Sequence, residues 1–171
     1  MIEAKKFEIC GSDLVRCQRK ALRQARSLRE ICGVLVAKGR FLFLVETRNA
    51  ETRLGSFKIN RREFLALVRN ARGLGCKVVG TFHSHVASDP IPSSGDLQGA
   101  NAGELMLILD PTGRRVAIWR IETKLRASRV PFIATADAPG GNQEWLQPFS
   151  SARQVRARVK PKTVTAQPRS R

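Results

Sequence analysis

The only two histidines of the chain, His83 and His85, stand two residues apart, and Ser93 and Asp96 follow them. Residues two apart in a β-strand point to the same face, so both imidazoles can turn a nitrogen towards one ion, while Ser84 faces the other way. A borderline cation such as zinc favours nitrogen and carboxylate ligands, and a catalytic site uses three of them and keeps one position open. Asp96 supplies the third ligand if the proline-containing loop before it folds the chain back.

Each half of this pattern also has a simpler interpretation. An isolated His-x-His pair is a common surface feature, and a serine three residues before an aspartate is typical of a helix cap. The combined pattern is His-x-His, seven residues, Ser93, two residues and Asp96. Average residue usage produces it in only roughly one chain per several thousand of this length. The complete spacing therefore favours a metal site.

Several segments predict β-strands because they are rich in β-branched and other apolar residues and are bounded by turn residues. Residues 76–82 predict a central strand that ends at the histidines, and residues 130–133 are a candidate edge strand within an ambiguous segment from 124 to 150. Short glycine-containing turns join two pairs of the predicted strands as hairpins. The other predicted strands are residues 2–10, 31–36, 41–45, 56–59, 105–109 and 116–121.

Helical patterns alternate with these strands. Apolar residues recur at helical spacing over residues 14–28, with arginines and lysines on the opposite side, which indicates an amphipathic helix with a cationic outer face, capped at residues 11–13. A second helix of about a dozen residues is expected from Asn60 to a glycine-rich stop. A short third helix begins near Ser93 or Ser94. The predicted class is α/β, a mixed central β-sheet flanked by helices.

Charge and composition limit the partners and the location. The chain of 171 residues carries a formal net charge of +17, which favours partners with negative surfaces, either nucleic acid or acidic protein. Residues 1–150 suit one domain, and the basic segment 151–171, which has no acidic residue, predicts a disordered tail. No stretch has the length of a transmembrane helix or the pattern of a signal peptide, so a cytoplasmic protein without membrane contact is expected.

Four cysteines without C-x-x-C spacing, in a chain of this size, predict reduced thiols. Cys32 and Cys76 lie in apolar segments and are expected to be buried. Cys32 is interpreted as a packing residue because no histidine is left to activate it. Trp119 is expected in the core and not as a platform for substrate.

The motif resembles the signature of the JAMM metalloproteases, also called the MPN-plus or Mov34/PAD-type domain. That signature is an early glutamate followed by His-Ser/Thr-His, seven residues, Ser, two residues and Asp, here His83-Ser84-His85, Ser93 and Asp96. The segment from Glu30 to Leu35 is similar to the E-x-C-G-x-L opening of the family. The resemblance covers roughly residues 2–122 and implies a cytidine-deaminase-like MPN/JAMM fold.

Further details of the resemblance indicate a compact prokaryotic member. The connection between Asp96 and Leu105 is short, and Asn49 matches an asparagine often found after the second hairpin strand. One departure concerns the proline that usually follows the second histidine. Val86 stands at that position, so the loop that carries Ser93 is expected to follow a different path.

The resemblance also implies roles for the site residues. His83, His85 and Asp96 would hold Zn²⁺, and Glu30 would act as general base. Ser93 would donate its hydroxyl to the developing oxyanion. By sequence alone, Glu46 competes equally with Glu30.

The implied activity is that of a zinc peptidase or isopeptidase that cleaves after the C-terminal glycine of a ubiquitin-like or sulfur-carrier protein. It would process or deconjugate that partner, in settings that include bacterial ubiquitin-like conjugation and antiphage systems. Residues 47–56 are a candidate edge for binding an extended tail by strand addition. Two alternatives stay open: a non-catalytic MPN scaffold, and a basic protein that associates with nucleic acid through its first helix and tail.

Overall fold

A computed structural model describes residues 6–136 of the chain. The predicted domain boundary at residue 150 and the predicted tail lie outside these residues. In chain order the elements are β1 (Phe7–Cys10), α1 (Gly11–Ala25), β2 (Cys32–Lys38), β3 (Phe41–Thr47), α2 (Arg61–Gly73), β4 (Lys77–Ser84), α3 (Ser94–Gly99), β5 (Leu105–Asp110), β6 (Arg115–Thr123), β7 (Arg126–Val130) and β8 (Phe132–Thr135).

All the strands of residues 6–136 belong to one sheet of eight, in the order β7-β6-β5-β4-β2-β3-β1-β8. The pairs β1–β3, β1–β8 and β4–β5 are parallel, and the others are antiparallel. The predicted class, a mixed central sheet flanked by helices, is confirmed. No helix among the described residues is both long enough and apolar enough to cross a membrane.

The central strands are continuously apolar because both of their faces are covered. Leu35 and Phe82 belong to the core cluster beneath α1, whereas Val34 and Val36 pack on the other face with Leu67 of α2. This alternation follows from the two-residue period of a strand. The helix α1 and the helices α2 and α3 therefore lie on opposite faces of the sheet.

The face that carries α2 and α3 has two separate core clusters. One joins α2 to β2 and β3, and the other joins β5 and β6 to Leu97 of α3 and to Ala100 at its end. The strand β4 lies between β2 and β5. A cleft runs between the two clusters, and the end of β4 brings the two histidines to it.

Two local predictions are wrong. The predicted cap at residues 11–13 is absent: α1 already begins at Gly11, its N-cap Cys10 makes no side-chain cap, and Asp13 instead accepts from Arg16. Residues 56–59 are not a strand, since only Ile59 forms an isolated bridge, with Asn49. Asn60 does cap α2, by accepting from two backbone N–H groups, as its helix-start position predicts.

The ambiguous segment after residue 124 forms two strands. Pro131 separates β7 from β8, because proline has no N–H to donate to a ladder and interrupts the strand. β7 continues antiparallel beside β6, whereas β8 pairs parallel with β1 at the other end of the sheet. The predicted edge strand at 130–133 is therefore divided between the two edges.

Candidate metal centre and active-site cleft

The predicted ligands converge. His83 comes from the end of β4 and is fully buried. His85 follows two residues later, and its backbone N–H donates to the Leu109 carbonyl at 2.9 Å. Asp96 comes from the first turn of α3. Its Oδ1 lies 3.3 Å from His83 Nε2 and its Oδ2 lies 3.6 Å from His85 Nε2. One ligand atom from each residue falls within 4.8 Å of the others.

This arrangement fits a metal ion on two independent grounds. Ligands held 2.0–2.1 Å from one tetrahedral ion lie about 3.4 Å apart, close to the spacing found here. In addition, the 3.3 Å contact of the buried His83 with Asp96 is not aligned as a hydrogen bond, and neither ring nitrogen of His83 has another hydrogen-bond partner among the described residues. A buried unpaired polar group is costly, and a cation beside Nε2 would satisfy that nitrogen. The pair of findings indicates a metal site.

A second set of contacts orients His85. Its Nδ1 lies 2.7 Å from the Asp89 carbonyl oxygen and 2.9 Å from Ser88 Oγ. Because a carbonyl only accepts, Nδ1 must carry the proton, and Nε2 is left free towards Asp96. Such backbone acceptors behind a ligating imidazole fix its tautomer and ring direction. The sequence pattern contains no signal for this contact.

The loop between His85 and Ser93 is anchored from β6. Arg115 forms an ion pair of 2.6 Å with Asp89, and the Trp119 indole N–H donates to the Pro90 carbonyl at 2.8 Å. Trp119 is half-buried and packs against the core cluster of β5 and β6, so it is a residue at the edge of the core and not among the residues that line the cleft. These contacts hold the loop where Val86 replaces the family's usual proline.

Ser93 and Asp96 also form the capping box of α3. The Ser93 hydroxyl donates to Asp96 Oδ2 at 2.7 Å, and it accepts from the Asp96 backbone N–H at 3.2 Å. The capping interpretation and the metal interpretation are therefore compatible. The cap fixes the aspartate rotamer, and Oδ1 is turned towards His83.

Glu30 reaches the same cleft through backbone anchors on either side of it. The Ile31 N–H donates to Ser84 Oγ, and the Ser84 N–H donates to the Ile31 carbonyl, each at 3.0 Å. Asn49 donates from Nδ2 to the Glu30 carbonyl at 3.0 Å. Ser84 faces away from the ligands, as predicted, but its role of holding Glu30 beside them could be seen only in the structure.

Glu46, which the sequence could not separate from Glu30, lies elsewhere. It pairs with Gly33 across the hairpin and forms an ion pair with Lys20 of α1. It is therefore on the face of the sheet opposite the cleft. Glu30, in contrast, lines the cleft together with His85 and Asp96.

The cleft has a volume of about 990 Å³ and is open to solvent along the metal site. Phe57 forms part of its wall and stacks on the His83 ring, with centroids 4.4 Å apart and planes inclined by 18°. The segment predicted as an edge for strand addition is mostly a loop, since β3 ends at Thr47. Asn49 Oδ1 organises that loop by accepting from the backbone of Glu51 and Lys58.

Burial and mutual contacts shift the ionisation of the site. Burial lowers the pKa of His83. Burial also opposes protonation of His85, but the nearby Asp96 carboxylate and the hydrogen bond to the Asp89 carbonyl outweigh it and raise that pKa. Burial would raise the pKa of Asp96, whereas the two histidines beside its carboxylate and the hydrogen bond from Ser93 hold that pKa well below its usual range. Desolvation raises the pKa of Glu30 to about 7.

The shift of Glu30 predicts a pH-dependent stability of the metal-free protein. A carboxyl whose folded pKa is raised from 4.5 to about 7 favours the fold when protonated, and that stability is lost as pH rises through this window. We expect Glu30→Gln to raise the melting temperature in chelator at about pH 8 and to leave it nearly unchanged near pH 4.5. Thermal unfolding at both pH values measures this. An equal change in melting temperature at the two pH values would contradict the desolvation of Glu30 as its cause.

Comparison with known proteins agrees with this geometry. A sequence profile of the family Prok-JAB, prokaryotic homologs of the JAB domain, matches residues 15–122. The chain belongs to this family. The JAMM resemblance read from the motif is thereby confirmed, together with the metalloprotease class that it implies.

Two curated relatives of this Prok-JAB protein are named desampylase. The one from Pyrococcus furiosus is 34% identical over 106 residues, which cover 61% of this chain and 75% of the relative. The one from Haloferax volcanii is 32% identical over 94 residues, which cover 52% of this chain and 67% of the relative.

Solved structures show the same fold. Protein DSY2949 from Desulfitobacterium hafniense aligns with a TM-score of 0.65 at 22% identity, over 78% of this chain and 95% of its own. A protein from Salinibacter ruber aligns with a TM-score of 0.53 at 18% identity, over 78% of this chain and 95% of its own.

All four cysteines are free and buried. Burial raises the pKa of the Cys32 thiol to about 11. A thiol in that state is a poor nucleophile at neutral pH, which agrees with its interpretation as a packing residue.

Proposed function

We propose that this Prok-JAB protein is a zinc-dependent peptidase or isopeptidase that cleaves after the C-terminal glycine of a ubiquitin-like modifier. The observation that carries the proposal is the convergence of His83, His85 and Asp96 in an open cleft that Glu30 also lines. The two relatives named desampylase support a modifier as the substrate.

The donor set favours zinc. Two neutral imidazole nitrogens and one carboxylate are a typical ligand set of catalytic zinc, in which a fourth position is left for water or substrate. When bound, zinc supplies an acidified water molecule and a positive charge that polarises the scissile carbonyl. The harder cations magnesium and calcium prefer sites made of oxygen ligands alone.

Glu30 is the proposed general base. Its carboxylate would take the proton of the attacking water and deliver it to the nitrogen of the leaving amine. Glu30 lines the cleft beside His85 and Asp96, where its carboxylate is placed to serve both transfers. The contacts of Ser84 and Asn49 with the backbone at residues 30–31 keep Glu30 at the cleft.

Ser93 is the proposed donor to the developing oxyanion. It lines the cleft, and its hydroxyl donates to Asp96 in this structure. The proposed role requires the hydroxyl to turn from the carboxylate to the substrate oxygen. Loss of such a donor typically reduces kcat by about 10²- to 10³-fold.

The finer alternatives stay predictions. The desampylase relatives favour deconjugation, and processing of a sulfur-carrier protein uses the same bond chemistry. An antiphage setting has no further support. The scaffold alternative is disfavoured because the complete ligand set is present. The nucleic-acid alternative rests on charge alone.

Metal removal tests the proposal. We expect the purified chain to cleave both a ubiquitin-like protein fused through Gly-Gly to a reporter and an isopeptide-linked conjugate. Dialysis against chelator should abolish both activities, and about one equivalent of Zn²⁺ should restore them, whereas Mg²⁺ should not. Cleavage followed by gel, with zinc content measured in parallel, gives the answer. Full cleavage by protein shown to be free of metal would contradict the proposal.

A further inference from the structure

The charges that line the cleft are unequal outside the metal site. Apart from Glu30, His85 and Asp96, the charged side chains among the described lining residues are Arg53, Arg61 and Glu104. Both oxygens of Glu104 are already used, since they accept from the backbone and the side-chain amide of Asn101 at 3.0 and 2.9 Å. These neutral donors leave the charge of Glu104 in place, but they hold its carboxylate at Asn101, and the two arginines still exceed it by one positive charge.

The two arginines have little internal compensation. Arg61 is exposed and forms no ion pair with any described residue, and it lies in the first turn of α2, where the helix dipole disfavours a cation. Arg53 has a single ion pair, a 3.5 Å contact with Glu51. The Glu51 carboxylate also accepts from the backbone N–H groups of Thr52 and Arg53. Both guanidinium groups are available to an external anion.

Both arginines line the cleft on the segment between β3 and α2 or at the start of α2. Arg53 belongs to the loop that places Phe57 on His83, and Arg61 precedes the apolar lining residue Phe64 on α2. A chain whose scissile bond lies at the metal site would pass these side chains on its way out. Its residues upstream of the cleaved glycine would face the two cations.

We infer that the cleft selects modifiers whose C-terminal tail carries acidic side chains shortly before the terminal glycines. This inference rests on the proposed function and specifies its substrate. The formal charge of +17 would also attract an acidic modifier from a distance. Arg53 and Arg61 act locally, because they would form ion pairs with acidic side chains of the tail itself. Ion pairs at such a rim affect recognition and its salt dependence more than the chemical step.

Binding of synthetic tails separates local recognition from general attraction. Two fluorescent peptides, identical except for two glutamates or two lysines upstream of a terminal Gly-Gly, are titrated with the zinc-loaded full chain and followed by anisotropy. We expect the acidic peptide to bind about tenfold more tightly. The double variant Arg53→Glu with Arg61→Glu should reverse this preference.

A matched control removes the same charge from the opposite face of the sheet. Arg19→Glu with Arg23→Glu changes two exposed arginines of α1 that form no ion pair with described residues. In this control variant, binding of both peptides should depend less on salt concentration, but the acidic peptide should still bind more tightly than the lysine-bearing one. Equal binding of the two peptides by the unmodified chain, or loss of the preference in the control, would overturn the inference.

Cleavage of the Gly-Gly fusion distinguishes this failure from failure of the proposed function. Equal binding combined with zinc-dependent cleavage would reject only the acidic-tail specificity. A charge preference without any cleavage of fusions bearing either tail would reject the hydrolase, and with it the tail as a substrate. Efficient cleavage of the fusion with a lysine-bearing tail by the variant Arg53→Glu with Arg61→Glu would support both the hydrolase and the charge selection by the cleft.

Discussion

Glu30→Gln should reduce cleavage of a Gly-Gly fusion by about 10²- to 10⁴-fold while zinc content and fold are retained. Glutamine has nearly the same shape as glutamate but cannot take a proton from water. The backbone anchors at residues 30–31 do not involve the side chain, so the exchange leaves them in place. Single-turnover cleavage and zinc analysis of the same sample measure the effect.

Glu46→Gln is the matched control, because the sequence does not separate the two glutamates. Glu46 pairs with Lys20 on the opposite face of the sheet, so its replacement should leave the cleavage rate within about twofold of the unmodified chain. If Glu30→Gln kept full activity, or if Glu46→Gln lost as much, the assignment of the base would be wrong.

Asp96→Asn should lower the affinity for zinc by more than about 100-fold and abolish cleavage. Loss of a residue that only hydrogen-bonds to a metal ligand already lowers metal affinity by about 10- to 100-fold. Asp96 is the proposed anionic ligand itself, so its replacement should cost more. Asparagine can still accept from the backbone N–H of Ser93, so the cap of α3 is largely kept. Zinc competition with a chromophoric chelator gives the affinity.

Asp89→Asn gives the corresponding control. Its side chain pairs with Arg115 at the surface, and the contact to His85 is made by its backbone carbonyl. Zinc should therefore still raise the melting temperature of this variant. At a free concentration about 100 times the dissociation constant, zinc stabilises the binding-competent fold by about 2.7 kcal/mol, and Asp96→Asn should lose this gain. A normal zinc-induced shift in Asp96→Asn would contradict the ligand assignment.

Much of the fold could be predicted because its central strands are continuous apolar runs and its helices α1 and α2 are amphipathic. The edge strands were harder to predict. β7 is half-polar, with Arg126 and Arg129 exposed, and Pro131 falls between it and β8. Which distant strand each one pairs with depends on tertiary contacts that local pattern does not contain.

The metal ligands could be predicted because a strand and a helix cap place them at fixed spacing. Glu30 needed the family resemblance, because the contact that brings it to the site joins residues 53 positions apart in the chain. The anchoring by Arg115 and Trp119 had no sequence signal either. Both residues act through the loop at Asp89 and Pro90 and not through the ion itself.

The placement of α1 and the cleft on opposite faces of one sheet has a consequence for assembly. The exposed arginines of α1, among them Arg19 and Arg23, lie on the face of the sheet opposite the site where a tail would be cut. A polyanion docked along α1 would leave the entrance to the metal centre uncovered. Binding of an acidic support through α1 would therefore leave the cleft accessible, and the higher local concentration would then add to the selectivity of the cleft.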